Sequence, residues 1–463
     1  MRRSLLCMLL LILTVMLIAT PVDDMKFAVG LYTDGNYKLA EIELRNFISN
    51  NPESNLLADA KFLLANVLLV EKNYDQALKL FDELYSSDPN PAIRAEVLMG
   101  LGQCNFFEND LSESEKYLQD FVKIFPRHLL RWKADYFLGR INLKREKLDE
   151  ALRFLDKAAA INDDISIKIA RLEVFIAHDQ TPKADEVMQT LLAERNEQRN
   201  RALLIYQNFN LRKKNYDKIL NVGFDSIPIT SEYYQEYSLL LRRAYYYKGE
   251  YKEALKRLEP LTSEKASYFK ALCLYETDSS EEAGKILAEL VRSVDKEISS
   301  NSFFYLAKME PDKQKSISML KEFVKDNPSH LFTPSAYYQI GYNYFLLGEF
   351  AGTLDNFDIA RSRAHQSADP QSHEIYKNFQ EQISYLASEA NFLMGNEQKA
   401  SEKYKEYIGE YPKGEFLDEA LFKLGLLYFR GKDYTEALSK FDMVLDNHPY
   451  SDKTGMSNYY IGE

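Results

Sequence analysis

The stretch 66–89, NVLLVEKNYDQALKLFDELYSSDP, sets the fold. Its apolar residues fall three and four apart on both sides of a polar break at Lys72 and Asn73. That spacing describes two amphipathic helices joined by a tight turn. The same frame recurs at a step of 37 residues on either side. Ala28, Ala65, Gly102 and Gly139 form one column, and Tyr37, Tyr74, Leu111 and Leu148 a second. Ala40, Ala77, Ser114 and Ala151 form a third, and Phe47, Leu84, Phe121 and Ala158 a fourth. Pro52, Pro89 and Pro126 keep the step, with Asp163 in the fourth place. The small residues let two helices approach closely, and the aromatic or Leu fills the space between neighbouring hairpins. Pro then ends the second helix or shapes the turn after it.

The last full copy reads Leu424-Gly425, Tyr428, Tyr434, Ala437, Phe441, Pro449. In this form the sequence resembles the tetratricopeptide repeat family, whose signature is L-G-x2-Y, then A-x3-F, then P. The family step is 34, and the three extra residues here fall between Pro and the next helix, at 52–60 and 412–420. Ser54 or Asn55 can cap that longer helix. Through the middle the anchors Ala184, Ile219, Ala254 and Ala283 follow at steps of 33, 35, 35 and 29. Ser316 with Pro328, Thr353 with Gly341, Ala400 with Pro412 and Ala437 with Pro449 then return to the frame. The expectation is an all-α, right-handed superhelical solenoid of about twelve helical hairpins. Regular copies occupy 20–164, degenerate ones 165–310, and regular ones again 311–463, with a long connection near 361–374. Tyr459-Tyr460-Ile461-Gly462 reads as the first helix of a thirteenth copy cut half-way. Because repeat arrays end in polar caps, the chain is expected to be a fragment of a longer protein or to be closed by a partner.

Composition agrees with such an array. The 463 residues are 46% hydrophobic and 28% charged, which supplies a core and excludes disorder. Eighteen Gly and 14 Pro are too few for a turn-rich all-β chain. A net charge of −12 disfavours non-specific nucleic-acid binding. Arg2 and Arg3 precede an apolar run from Leu5 to Ala19, the layout of a secretory signal peptide over 1–19. Leu17-Ile18-Ala19 is a poor cleavage site, so an uncleaved N-terminus tying the protein to a membrane is the alternative. Cys7 lies inside the run, too early for lipidation. Cys104 and Cys273 lie far apart without metal or redox spacing, and read as small buried hydrophobes.

Stacked hairpins share a core that one hairpin cannot make alone. The family resemblance implies a curved inner face, lined by the first helix of each copy, that binds extended peptides or a partner helix. The repeat frame points Phe62, Met99, Phe106, Tyr136, Arg140, Tyr246, Tyr338, Tyr342, Phe345, Phe422 and Phe429 inward. That makes an aromatic-rich groove suited to interface anchors, unless neighbouring hairpins consume the rings. The family's chaperone-binding members hold a C-terminal carboxylate with a Lys/Arg cluster. Here Lys133, Arg140 and Lys144 come from one copy, which does not reproduce it.

No HExxH, GxxxxGK[ST] or GxSxG motif occurs. His365, Asp369, His373 and Glu374 fit no established metal spacing and read as a solvated connection. His128, His330 and His448 sit beside junction Pro residues as turn chemistry. The basic cluster Arg195, Arg199, Arg201, Arg212, Lys213, Lys214 and Lys218 reads as a solvated helix face, with docking of an acidic partner or anionic headgroups as its sharper alternative. The chain is thus expected to be a non-enzymatic, exported scaffold of the bacterial cell envelope. It would bind a protein or peptide partner, with no cofactor, metal, nucleic acid or small-molecule substrate. It looks like periplasmic repeat proteins of the BamD type and those associated with Tol–Pal. It lacks the lipidation Cys of the former and the N-terminal coiled coil of the latter, so location and binding role carry over and a pathway does not. Two alternatives are the scaffold region of a larger enzyme and a cell-wall glycan binder. The latter is weakened because Trp132 is the only Trp.

Overall fold

The computed structural model describes residues 20–87, 91–258, 261–367 and 370–463, apart from the side chains of 91, 92, 224 and 370–373. The apolar segment 1–19 with Cys7, together with Pro89, Asp369 and the His373 side chain, lies outside the described residues. The described residues hold 25 α-helices. They pair as twelve antiparallel hairpins, from Pro21–Thr33 with Tyr37–Asn50 to Leu417–Arg430 with Tyr434–Asn447. The helix Thr454–Gly462 follows the twelfth. The architecture is that of a tetratricopeptide-type α solenoid.

One turn recurs between the two helices of a hairpin. Two residues past the end of the first helix stands a residue in the left-handed region: Gly35, Lys72, Asn109, Glu146, Asp179, Lys214, Gly249, Asp278, Gly348, Gly395 or Lys432. At Lys72 the hydrogen bonds are those of a Schellman motif. Asn73 N–H donates to the Leu68 carbonyl at 2.8 Å, and Lys72 N–H to that of Leu69 at 3.2 Å. Ala77 N–H then donates to the Asn73 carbonyl at 3.1 Å, so the turn runs straight into the second helix. Each left-handed residue lies five before an anchor of the sequence frame, including the irregular Ala184, Ile219, Ala254 and Ala283, and every such anchor is buried. The uneven steps of 33, 35, 35 and 29 therefore change the length between hairpins while leaving this turn intact. The ninth hairpin differs. There Asp312 caps the second helix by accepting from Gln314 and Lys315 N–H.

Close approach of the paired helices explains the glycine column. A Cβ at Gly139 would meet Leu155 Cγ at 2.7 Å, and one at Gly341 would meet Phe357 Cδ1 at 2.7 Å. Where Ser114 replaces the anchor Ala, its hydroxyl donates to the Gly102 carbonyl at 2.7 Å and stays satisfied while buried.

The chain forms two compact units, one up to Leu240 and one from Leu241. Within the first, each hairpin packs on the next and the first helices of successive hairpins also touch, from Pro21–Thr33 to Glu197–Arg212. The sixth hairpin has a short second helix, Tyr216–Leu220. In the second unit the same succession runs from Glu264–Glu276 to Pro370–Leu393. The connection expected near 361–374 is mostly helix: Phe350–Gln366 and Pro370–Leu393 leave only 367–369 between them. Long helices there bury Ala364 and Tyr376 against each other's hairpins, which a loop would leave exposed. Cys104 and Cys273 are buried free thiols, each pushed up to about 12 by burial.

Candidate functional site

The eleven frame positions fall into three groups. Met99, Phe106 and Phe422 are buried and offer no surface. Phe106 meets Phe137 edge-on at 5.2 Å and lies 5.0 Å below the Lys144 ammonium.

A second group has its rings engaged by neighbours. Tyr338 stacks on Phe379 of the following hairpin at 4.6 Å, and its hydroxyl donates to Gln382 Oε1 at 2.6 Å. Burial pushes its phenol up to about 12. Tyr246 lies against Phe269 at 5.8 Å and within electrostatic reach of Tyr305 two hairpins on; burial raises its phenol far above the usual range. Phe429 meets Tyr434 at 5.8 Å and Tyr460 of the last helix at 5.3 Å. Tyr136 packs edge-on to Phe137 at 5.2 Å. Phe62 meets Phe81 at 6.4 Å.

The third group keeps partly open side chains. Tyr342 and Phe345 sit on Thr333–Leu346, half-buried, with Tyr342 stacked at 6.2 Å on Tyr338 and Phe345 edge-on to Phe350 at 5.6 Å. Arg140 pairs with Glu173 at 3.1 Å, and Glu173 also takes Arg201 at 3.0 Å. One carboxylate thus joins cations from the fourth and sixth hairpins through the fifth. Lys133 is burdened by desolvation, which holds its ammonium below the ordinary lysine range. These cations do not converge on a carboxylate site.

The structure adds a column that the frame did not single out. The last residue of the first helix stands two before the left-handed turn residue. In five hairpins it is a large apolar residue and exposed: Val70, Phe107, Tyr247, Leu346 and Leu393. In the tenth and eleventh hairpins the next residue is apolar and exposed as well, Leu347 and Met394. Beside them Lys423 and Arg430 lie 4.6 and 5.1 Å from the Phe392 ring. Counting back two residues from each turn would have found this column. The resemblance instead drew attention to positions earlier in the helix.

Part of the basic cluster is paired internally. Lys213 pairs with Asp179 and Lys218 with Asp185, both at 2.5 Å, and Arg199 donates to the Ser226 carbonyl. A groove of about 420 Å³ beside the fourth and fifth hairpins holds Arg171 with Asp156 at 3.1 Å and Lys168 with Asp163 at 2.8 Å. His128 and His330 take turn roles: each Nδ1 accepts a backbone N–H two residues on, from Leu130 at 3.2 Å and Phe332 at 3.1 Å. Among the described residues no group of three or more His, Cys, Asp or Glu could hold a metal ion. Among them no helix is long and apolar enough to cross a membrane.

Residues 25–92 and 419–451 match the tetratricopeptide repeat family. No curated protein sequence matches the chain. Among solved structures, the crystal structure of the APC/C hetero-tetramer Cut9–Hcn1 is similar over 96% of this chain and 90% of that one, at 11% identity and a TM-score of 0.42. A structure from the functional characterisation of Pseudomonas aeruginosa pilF covers 50% of this chain and 96% of its own, at 19% identity and a TM-score of 0.36.

Proposed function

We propose that this array of tetratricopeptide hairpins is a non-enzymatic scaffold that holds a protein partner along its first helices. The observation that carries the reading is the exposed apolar column at the ends of those helices, densest at Leu346, Leu347, Leu393 and Met394. Water-exposed apolar clusters are costly to keep without a use, and they mark interaction surfaces. Tyr342 and Phe345 extend the cluster along Thr333–Leu346. Phe62, Tyr136, Arg140, Tyr246 and Phe429 would flank the partner through their open edges, while Met99, Phe106, Tyr338 and Phe422 support the face from beneath.

The basic, then apolar, N-terminal sequence supports export, and with it a place in the bacterial cell envelope. An uncleaved N-terminus would hold the protein at a membrane. The reading takes no particular assembly pathway with it.

A crosslinking pull-down from envelope extracts tests the proposal. Wild type is compared with Tyr342→Ala/Phe345→Ala/Leu393→Ser, with Tyr338 left in place because its ring packs on Phe379. Loss of the captured partner from a variant with unchanged helicity supports the first-helix face. Undiminished capture by the folded variant rejects it.

A further inference from the structure

We propose that the open side of the first hairpin joins two copies of this chain head to head. Three apolar side chains stand on it in water: Phe27 at 57%, Leu39 at 54% and Ile42 at 53% exposure. Phe27 occupies the column of Leu64, Leu101 and Leu138, which are all buried. Leu39 and Ile42 are more telling. In the next three copies their places are taken by Gln76 and Lys79, Glu113 and Lys116, and Glu150 and Arg153. The first hairpin is apolar where its successors are polar or charged, so its cover differs from theirs.

The direction of this face follows from the interior hairpins. Gln76 accepts from Arg45 of the preceding hairpin at 2.5 Å. Asp82 of the second hairpin lies within electrostatic reach of Glu113 and Lys116 of the third. The positions of Leu39 and Ile42 therefore look toward a preceding hairpin, and no described residue lies there. Lys26 shares the column of Phe137, whose ring meets Phe106 and Phe107 of the hairpin before it at 5.2 and 6.0 Å. Asp34 shares the column of Arg145, which pairs back to Glu115 at 2.5 Å. Lys26 and Asp34 thus edge the same face.

A second copy is the occupant these features fit. A face bearing both signs around an apolar centre can be self-complementary under a two-fold, which sets the cation of one copy against an acid of the other. Two helices of 13 and 14 residues, each about 20 Å long and about 10 Å wide, give a face of roughly 400 Å² in projection. That is about half of the ~800 Å² per partner of a standard interface, the size of a weak, concentration-dependent one. A bilayer fits less well, since Asp34 edges this face, Asp23 shares the column of Val97, which packs on a preceding hairpin, and anionic headgroups would repel both.

The full chain is purified and its mass followed by light scattering and sedimentation over a dilution series. The expected result is a dimer with a dissociation constant on the order of 1–10 µM. Ile42→Glu and, separately, Leu39→Glu should weaken it roughly 30-fold or more. Both side chains are exposed in the single chain, so circular dichroism and melting should stay at wild type. Hydrogen exchange in 21–50 should slow with rising concentration. A monomer throughout the series overturns the proposal, as does a dimer indifferent to both substitutions. Protection of 21–50 that follows the presence of residues 1–19, or of added anionic vesicles, and not concentration overturns it in favour of that occupant.

Discussion

At the junction before the tenth hairpin, His330 is half of a small device. Its Nδ1 accepts the Phe332 N–H at 3.1 Å, and its ring packs edge-on to Phe323 at 5.3 Å. Accepting requires the neutral ring, and burial holds the imidazole below its ordinary value. Between that lowered value and about 6.5 the unfolded chain binds the extra proton. Stability is therefore complete above about 6.5 and declines as pH falls through this window. His330→Asn keeps a side-chain acceptor and loses the titration. Its urea midpoint should be flatter than wild type between neutral and mildly acid pH, and parallel curves would show that His330 does not set the slope. Gly341 tests packing at the same scale. Ala normally stabilises a helix interior by about 1 kcal/mol over Gly. At Gly341 the new methyl would meet Phe357 at 2.7 Å and the Thr353 carbonyl at 3.1 Å. Gly341→Ala should thus cost about 1–3 kcal/mol by overpacking. Gly409, with nothing within 4 Å of an added Cβ, is the control. Gly409→Ala should leave stability unchanged or slightly higher in the same denaturant titration.

The element that repeats is the hairpin turn, and seven of its left-handed positions carry residues other than glycine. A side chain in that region costs about 1 kcal/mol. Lys432 has φ 63° and is exposed, so its turn needs the backbone geometry and not the ammonium. Lys432→Gly should raise stability by up to about 1 kcal/mol, less the entropy that glycine adds to the unfolded chain. A melting temperature lower than wild type would mean that the side chain contributes at this turn. The anchors made these turns legible in sequence, because a small residue five positions after the left-handed one must pass close to the first helix. What was not legible is which aromatics a neighbour would occupy. Tyr338 is covered by Phe379, which lies on Pro370–Leu393, a helix of 24 residues that the repeat step does not suggest. Tyr246 lies within electrostatic reach of Tyr305, two hairpins away across the irregular steps. The exposed column at Leu346 and Leu393 was missed for the opposite reason. Its residue type varies from copy to copy, with Lys144, Arg212 and Glu276 among the alternatives, so no periodic signal marks it.

In a stack of this kind stability is shared between nearest neighbours, because each hairpin completes the core of the next. The clusters in the second unit show the sharing. Phe304 and Phe323 of the ninth hairpin pack with Ala336 and Ile340 of the tenth, and Phe357 of the tenth packs with Tyr376 and Phe379 of the eleventh. Damage at Gly341 should therefore spread in both directions and fade with each interface crossed. Native-state hydrogen exchange on Gly341→Ala reads this directly. Protection should fall most in Thr333–Leu346 and Phe350–Gln366. It should fall less in the ninth and eleventh hairpins, and least in Glu264–Glu276 and Tyr434–Asn447. Equal loss in all of these helices would mean that the second unit unfolds as one cooperative block. Loss confined to the tenth hairpin would mean that the shared clusters contribute little to holding it.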